Sequence, residues 1–169
     1  MECRLRRWRE EDAGDLVLVV NNKKVLDNLR DGLPYPYRKE DAEEFIAAML
    51  EADPEETFAY AITVEDRVVG SICAYRQENV HARTAEIGYY LAESRWGQGI
   101  ATSAVRQFCG LLFAGTDLLR LFAMPFASNV ASCRVLEKAG FICEGTMRKN
   151  AVKNGVVRDM KLYARIREE

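Results

Sequence analysis

Histidine is nearly absent from this chain, which has a single one, His81, among 169 residues. His81 lies in the polar stretch QENVHARTAE, which is typical of a solvated loop. We therefore do not expect catalysis that depends on histidine. The five cysteines are spread along the chain, and none forms a C-x-x-C pair. We therefore expect neither a disulfide framework nor a zinc site, and no metal cofactor.

An excess of one charge and long apolar runs are also missing. The formal net charge is −2 and basic residues are scattered among acidic ones, so we expect no nucleic-acid partner. No apolar run approaches the roughly 20 residues of a membrane-spanning helix, and the start MECRLRRWREEDA has no segment resembling a signal peptide. We expect a cytoplasmic protein without a membrane partner, present as a monomer or a homodimer.

The hydrophobic pattern predicts a single α/β domain over residues 1–169. A chain of this length that is 49% apolar and 30% charged suits one compact domain. Apolar residues recur with helical spacing in some segments and alternate in others, in the order β-α-α-β-β-β-α-β-α-β-β. This order predicts a mixed, mostly antiparallel sheet with helices on both faces. Within it, Asn154-Gly155 predicts a two-residue hairpin turn.

A glycine-containing segment, ESRWGQGIAT, joins the apolar run AEIGYYLA to an amphipathic helical pattern. The first turn of a helix presents unpaired N–H groups and partial positive charge, which favour a phosphate or pyrophosphate. Gly97 and Gly99 remove the Cβ atoms that would hold such a ligand away. Two alternatives remain at this point: a tight turn that needs positive φ, and a dinucleotide site, whose third glycine is missing here.

The stretch AEIGYYLAESRWGQGIATSAV resembles the coenzyme A-binding motif Q/R-x-x-G-x-G/A of the GNAT superfamily, particularly its branch of ribosomal-protein N-terminal acetyltransferases. Gly99 and Ala101 match the motif, whereas Trp96 takes the Gln/Arg position, a departure familiar in this branch. NVASCRVLEKAGFICEG resembles the second motif of the family, with Asn129 and Ser132 in matching places. The resemblance covers nearly the whole chain and implies a GNAT-like fold with a splayed central strand.

The resemblance implies acetyl-CoA as the cosubstrate and suggests residues for each part of it. The pyrophosphate would bind at the start of the helix, on Trp96, Gly97, Gln98, Gly99, Ile100, Ala101 and Thr102. The pantetheine arm and the thioester carbonyl would pair with freed amides at the end of the central strand, on Tyr89, Tyr90, Leu91 and Ala92. Asn129 and Ser132 would face the pantetheine and thiol end. Gly88 marks either the strand distortion of the family or an ordinary bulge.

Catalysis of the GNAT kind is direct attack of a neutral amine on the thioester carbonyl within a ternary complex. Glu86 lies where several GNAT enzymes keep their general base, and the alternative is a carboxylate held in a structural hydrogen-bond network. The tyrosine that serves as general acid elsewhere falls at Leu136, so Ser132 is the nearest hydroxyl for the leaving thiolate. The alternative for Ser132 is capping of a helix start. Some ribosomal-protein enzymes carry a glutamate at the position of Ala151, which this chain lacks.

The acceptor side is predicted from NLRDGLPYPYRKED and the late hairpin. Candidate residues around the entrance of the amine are Asn28, Leu29, Tyr35, Tyr37, Arg148 and Asn150, and the alternative for the loop aromatics is packing under a Pro-rich turn. The candidate residues for a general base are few. This favours an α-amine, with a pKa of about 7.7 to 8.0, as the acceptor over a lysine side chain near 10.4, because the α-amine loses its proton more easily.

The leading prediction is an acetyl-CoA-dependent N-acetyltransferase that acts on a primary amine, such as a protein N-terminus or a small molecule. A rival is a non-catalytic acyl-CoA-binding sensor module, which Leu136 and Ala151 favour. A second rival, a nucleotide-binding protein that uses the same turn for ATP phosphates, lacks the G-x-x-x-x-G-K-[ST] loop.

Overall fold

The computed structural model describes residues 2–169 and arranges them around one seven-stranded sheet. The helices are α1 (Ala13–Val20), α2 (Lys23–Leu26), α3 (Lys39–Glu51), α4 (Ile100–Gly115) and α5 (Val130–Lys138). The strands are β1 (Arg4–Arg6), β2 (Thr57–Val64), β3 (Arg67–Arg76), β4 (Thr84–Leu91), β5 (Arg120–Ala123), β6 (Ile142–Lys153) and β7 (Val156–Ile166).

The strands lie in the order β1-β2-β3-β4-β5-β7-β6. All neighbouring pairs are antiparallel except β4 and β5, which are parallel and are joined through α4. A parallel pair needs such a crossover because its second strand must start at the same end as the first. The predicted mixed, mostly antiparallel sheet is confirmed.

Alternation along the strands divides the core between the two faces of the sheet. On one face, Ile87 and Leu91 of β4 pack with α4 and α5 in a first hydrophobic cluster. On the other face, Tyr90 packs against a second cluster that contains residues of α1 and α3. The expected helices on both faces of the sheet are therefore present, and β4 contributes to both cores.

The central sheet opens between β4 and β5, as the splayed strand of the prediction requires. Pairing of β4 with β5 covers three residue pairs and ends at Glu86↔Phe122. Beyond β5 the chain stays with β7, since the Pro125 carbonyl oxygen accepts a hydrogen bond from the Lys161 N–H at 2.9 Å. The two halves of the sheet thus diverge at Glu86, and a gap opens beside the last residues of β4.

The β6–β7 hairpin contains an irregularity in β6. Its turn is the predicted Asn154-Gly155, with φ of 52° and 75°. Strand β6 continues to Lys153 because an irregularity between Met147 and Ala151 lets pairing with β7 resume. A local bulge of this kind is hard to read from alternation alone.

Residues 2–169 contain no helix long and apolar enough to cross a membrane. The five cysteines are free: Cys3, Cys109 and Cys133 are buried, whereas Cys143 is exposed. Within the same range, His, Cys, Asp and Glu side chains do not gather in a group of three or more that would hold a metal ion.

Candidate active site

The even-numbered residues of β4 direct their backbone groups towards β3. The Thr84 carbonyl oxygen accepts a hydrogen bond from the Gln77 N–H at 2.8 Å, and the Ala92 N–H donates to the Val69 carbonyl oxygen at 2.8 Å. Because backbone groups alternate in direction along a strand, the even-numbered residues between these two ends face β3 as well.

The odd-numbered residues of β4 face β5 and, further along, the gap. The Arg83 carbonyl oxygen accepts a hydrogen bond from the Leu119 N–H at 2.7 Å, which sets this direction before β4 begins. Past Glu86, the backbone groups of Ile87, Tyr89 and Leu91 point into the space that β5 has left. The gap therefore presents a row of strand donors and acceptors suited to an extended, amide-containing ligand.

Two of the four amides expected to meet a pantetheine arm point the wrong way for it. The backbone N–H and C=O groups of Tyr90 and Ala92 point towards β3, where the Ala92 N–H donates to the Val69 carbonyl oxygen. Burial of Tyr90 raises the pKa of its hydroxyl well above the usual range.

Trp96 donates its indole N–H to the Leu91 carbonyl oxygen at 3.1 Å, so this residue of the predicted motif holds the end of β4 in place.

The turn before α4 presents a row of free N–H groups. Its first helical hydrogen bond runs from the Ser103 N–H to the Gly99 carbonyl oxygen at 3.1 Å. The N–H groups of Ile100–Thr102 precede that bond and have no acceptor within the helix. Together with the positive end of the helix dipole, they make this turn suited to an anion, which is what the sequence predicts for it.

Both glycines of this turn adopt left-handed backbone conformations, with φ of 72° at Gly97 and 78° at Gly99. The segment is therefore a tight turn that needs glycine, because such φ values favour glycine. This does not exclude a ligand at the same turn. No atom lies within 4 Å of the position where a Cβ would stand at either residue. Gln98 folds its side chain back onto the Ser94 carbonyl oxygen at 3.1 Å, which leaves the turn accessible to a ligand.

The start of α5 lies opposite the gap and carries a pair of hydroxyl groups. The Tyr89 hydroxyl is 2.8 Å from Ser132 Oγ and 3.3 Å from the Ser132 carbonyl oxygen. Asn129 Oδ1 accepts a hydrogen bond from the Ser132 N–H at 3.2 Å, so Asn129 is the residue that caps α5. The Ser132 hydroxyl is thus free of the capping task that was its alternative.

The sequence predicts a role for the Tyr89 amide alone, but the Tyr89 side chain also contacts Ser132 at the start of α5. Burial raises the pKa of Tyr89 to about 12, so its hydroxyl stays protonated at neutral pH. Leu136, which occupies the usual place of a tyrosine acid, is fully buried in the first cluster. The odd position of Tyr89 in β4 was the only sequence signal that its ring faces α5.

Glu86 stands at the point where β4 and β5 diverge, and its carboxylate is paired with Arg30. Arg30 Nη2 donates to Oε2 at 2.5 Å and Nη1 donates to Oε1 at 3.3 Å. Arg30 comes from the loop after α2 and its side chain is 57% exposed, compared with 19% for Glu86. The expected alternative of a hydrogen-bonded carboxylate is therefore present.

A cavity of about 290 Å³ lies between this loop and the β6–β7 hairpin. Its lining combines apolar and polar side chains and consists of Arg30, Asp31, Met124, Phe126, Asn150, Ala151, Val152, Lys153 and Met160. Lys153 Nζ donates to Asp31 Oδ1 at 3.0 Å and ties the hairpin to the loop. Of the predicted acceptor residues, Asn150 lines this cavity, whereas no sequence pattern singles out its two methionines.

The other predicted acceptor residues are distributed more widely. Tyr37 is buried in the second cluster, as the packing alternative proposed, and cannot frame an entrance. Tyr35 is exposed, with Lys23 Nζ 5.1 Å from the centre of its ring. Leu29 is half-buried against the second cluster, and both Asn28 and Arg148 are exposed.

Comparison with known proteins identifies the family of this arrangement. The model of the acetyltransferase (GNAT) domain matches residues 3–142. The chain belongs to the GNAT acetyltransferase family. It is similar to the probable N-acetyltransferase YjcK of Bacillus subtilis, with 39% identity over 68% of this chain and 64% of YjcK. The similarity to the ribosomal-protein-serine acetyltransferase of Escherichia coli is 36% over 63% of this chain and 59% of that enzyme.

Solved GNAT structures extend the match to the full sheet. RimL, a ribosomal L7/L12 α-N-protein acetyltransferase in complex with coenzyme A, has a TM-score of 0.86 and 27% identity, covering 97% of this chain and 93% of RimL. A ribosomal-protein-S5-alanine acetyltransferase from Vibrio fischeri has a TM-score of 0.88 at 21% identity, which supports the GNAT fold alone. By contrast, the sequence matches to the two curated relatives span about three fifths of their length.

The glycine turn can be tested as a coenzyme A site with Gly99→Ala. Gly155 is a matched control, because its φ of 75° is close to the 78° of Gly99 and no atom lies within 4 Å of its Cβ position. Each alanine should cost roughly 1 kcal/mol of stability from backbone strain. Calorimetry should show coenzyme A affinity reduced tenfold or more by Gly99→Ala alone. Parental affinity in folded Gly99→Ala would remove the turn from the site.

The hydroxyl pair can be tested by comparing three variants. Ser132→Ala and Tyr89→Phe should each lower kcat more than they change the KM for acetyl-CoA, if Ser132 meets the leaving thiolate and Tyr89 orients it. Asn129→Ala removes the cap and should instead lower the free energy of unfolding by about 1 kcal/mol. Parental kcat in Ser132→Ala, with only a lower Tm, would return Ser132 to a structural role.

Proposed function

We propose that this protein is an acetyl-CoA-dependent N-acetyltransferase, an acyltransferase that moves the acetyl group to a primary amine by direct attack in a ternary complex. The observation that carries the proposal is the gap after Glu86, where odd-numbered backbone groups of β4 adjoin the free N–H row before α4. One feature receives an extended thioester arm and the other receives its phosphates. The coenzyme A complex of RimL, a structural neighbour, supports this assignment.

Each part of the chain then has a task in binding acetyl-CoA. Gly97, Gly99 and the N–H groups of Ile100–Thr102 hold the pyrophosphate. The amides of Tyr89 and Leu91 hold the pantetheine arm and polarise the thioester carbonyl, which stabilises negative charge on that oxygen during attack. Acetyl-CoA supplies the acetyl group, and the residues of this chain position it.

Proton transfer needs one acceptor and one donor. We assign the acceptor to Glu86, reached directly or through water once Arg30 has moved aside. The donor to the leaving thiolate is Ser132, whose hydroxyl is held by the Tyr89 hydroxyl at 2.8 Å. If Tyr89 donates to Ser132 Oγ, the Ser132 proton is directed away from Tyr89 and towards the gap.

The acceptor is a low-pKa amine, and we favour an α-amine. An α-amino group with a pKa of about 7.7 to 8.0 is roughly one-tenth neutral at pH 7, whereas a lysine side chain near 10.4 needs about 4 to 5 kcal/mol to lose its proton. The relative in Escherichia coli named as acting on a ribosomal protein fits a protein N-terminus as the acceptor.

We further propose that residues 1–169 form one N-acetyltransferase domain that works in the cytoplasm as a monomer or a homodimer. Both hydrophobic clusters share the same sheet, which supports a single domain. The net charge of −2 argues against a nucleic-acid partner.

A non-catalytic acyl-CoA sensor remains the second candidate, because Leu136 is buried where a tyrosine acid would stand and Ala151 replaces a glutamate. The two functions differ in turnover. With acetyl-CoA and a panel of amines that includes peptides of varied first residue, the enzyme should release free thiol continuously and with acceptor dependence. Coenzyme A binding without thiol release for any amine would favour the sensor.

Glu86→Gln tests the base, since it keeps size and polarity but loses the proton acceptor. We expect kcat/KM near neutral pH to fall roughly 10²-fold. The deficit should shrink above about pH 8, because an α-amine becomes neutral there without help. pH profiles that are parallel and offset by a constant factor would mean that Glu86 positions groups without taking the proton.

A further inference from the structure

Arg30 carries the one bidentate contact to the proposed base, and it also lines the acceptor cavity. We propose that the acceptor enters by splitting the Arg30–Glu86 pair, so that Glu86 receives the ammonium group and Arg30 receives an oxygen on the carbon next to the amine-bearing carbon. The protein would thereby select α-amino carbonyl compounds over simple amines. This inference rests on the proposed acetyl transfer and adds the substrate class.

The pair can open at low cost. Arg30 is 57% exposed, so water can solvate its guanidinium when it leaves Glu86. The cost of opening the pair therefore falls mainly on Glu86. Glu86 is only 19% exposed and stands at the point of divergence of β4 and β5, so it needs a replacement partner once Arg30 has moved. An incoming ammonium group supplies that partner.

The chemistry of an α-amino carbonyl compound matches the two ends of the split pair. Its ammonium nitrogen and its carbonyl or carboxylate oxygen are joined through only two carbon atoms, so they meet two protein groups that lie side by side. Arg30 presents parallel N–H donors, a geometry that suits a carboxylate or carbonyl oxygen. A simple amine satisfies Glu86 but gives Arg30 nothing to bind.

The loop that carries Arg30 is fastened on both sides of this residue to the tip of the β6–β7 hairpin. Asn154 Nδ2 donates to Asp27 Oδ1 at 3.1 Å, and Lys153 Nζ donates to Asp31 Oδ1 at 3.0 Å. The Lys153 side chain is only 10% exposed, whereas its partner Asp31 is 82% exposed. These two contacts keep the backbone of the loop in place while the Arg30 side chain changes partner.

The cavity beside Arg30 accommodates the remainder of such an acceptor. Its volume of about 290 Å³ lies at the small end of ligand sites and suits one or two amino-acid residues. Met124, Phe126 and Met160 form an apolar part of its wall. Methionine side chains adapt to irregular apolar shapes, so an apolar side chain next to the α-amine fits here.

The test compares methioninamide with 3-(methylthio)propylamine, which has the same side chain and amine but no carbonyl group. The measured quantity is the ratio of kcat/KM for the two acceptors, first in the parent and then in Arg30→Ala. Comparing the ratio between proteins removes the difference in amine pKa. We expect Arg30→Ala to lower the preference for methioninamide roughly tenfold to a hundredfold, as for loss of a charged hydrogen bond.

Arg67→Ala is the matched control. Arg67 makes a bidentate pair with Asp15, with exposures of 72% and 18% that are close to those of Arg30 and Glu86, and it does not line the cavity. Its acceptor ratio should stay parental. An unchanged ratio in folded, active Arg30→Ala would overturn the inference while leaving acetyl transfer intact. Absence of transfer to every amine in the parent would instead refute the proposed function, and the inference with it.

Two more acceptors distinguish the sources of an α-amino carbonyl group. Free methionine presents a carboxylate to Arg30, whereas a Met-Ala dipeptide presents a neutral carbonyl oxygen followed by more chain. A higher kcat/KM for free methionine, lost in Arg30→Ala, assigns the site to amino acids. A higher value for the dipeptide, also lost in Arg30→Ala, assigns it to peptide N-termini.

Discussion

The early separation of β5 from β4 is the constraint on which the site depends. Pairing of β5 with β4 ends at Glu86↔Phe122, before the chain reaches Pro125. The Pro125 carbonyl oxygen and the Ala127 N–H bond instead to Lys161 and Asp159 on β7. Strand β4 remains paired with β3 throughout its length. The backbone groups on the opened side of β4 therefore face a gap, where an extended ligand with its own amides can pair with them.

The parts of the fold that are encoded locally were predictable. The positive φ at Gly97 and Gly99 and the Asn154-Gly155 turn follow from residues that are adjacent in the chain, and the sheet class follows from the order of periodic segments. Of the four residues Tyr89–Ala92 predicted to offer amides to pantetheine, only Tyr89 and Leu91 turn their backbone groups to the gap. Alternation makes every second group available, and the sequence does not tell which neighbour each strand has.

The contacts that define the chemistry of the site join distant parts of the chain. Arg30 and Glu86 are 56 positions apart, and Tyr89 and Ser132 are 43 apart. Such pairs depend on how a loop and a helix are placed over the sheet, which no local pattern records. Tyr37 illustrates the opposite error, since an aromatic residue in a Pro-rich loop suggests exposure, yet tertiary packing buries it.

The two contacts between the hairpin tip and the loop after α2, Lys153–Asp31 and Asn154–Asp27, belong to a different part of the chain from the proposed acetyl-CoA site. The groups assigned to acetyl-CoA all lie between Tyr89 and Ser132, within residues 3–142 that match the GNAT domain model. Most of the acceptor cavity wall comes from the hairpin beyond that match and from the loop it holds. Under the proposed roles, changes in the tip or the loop would alter which amine is accepted without disturbing the phosphate turn or the opened strand. A protein built in this way can diversify its substrates while its cosubstrate stays the same.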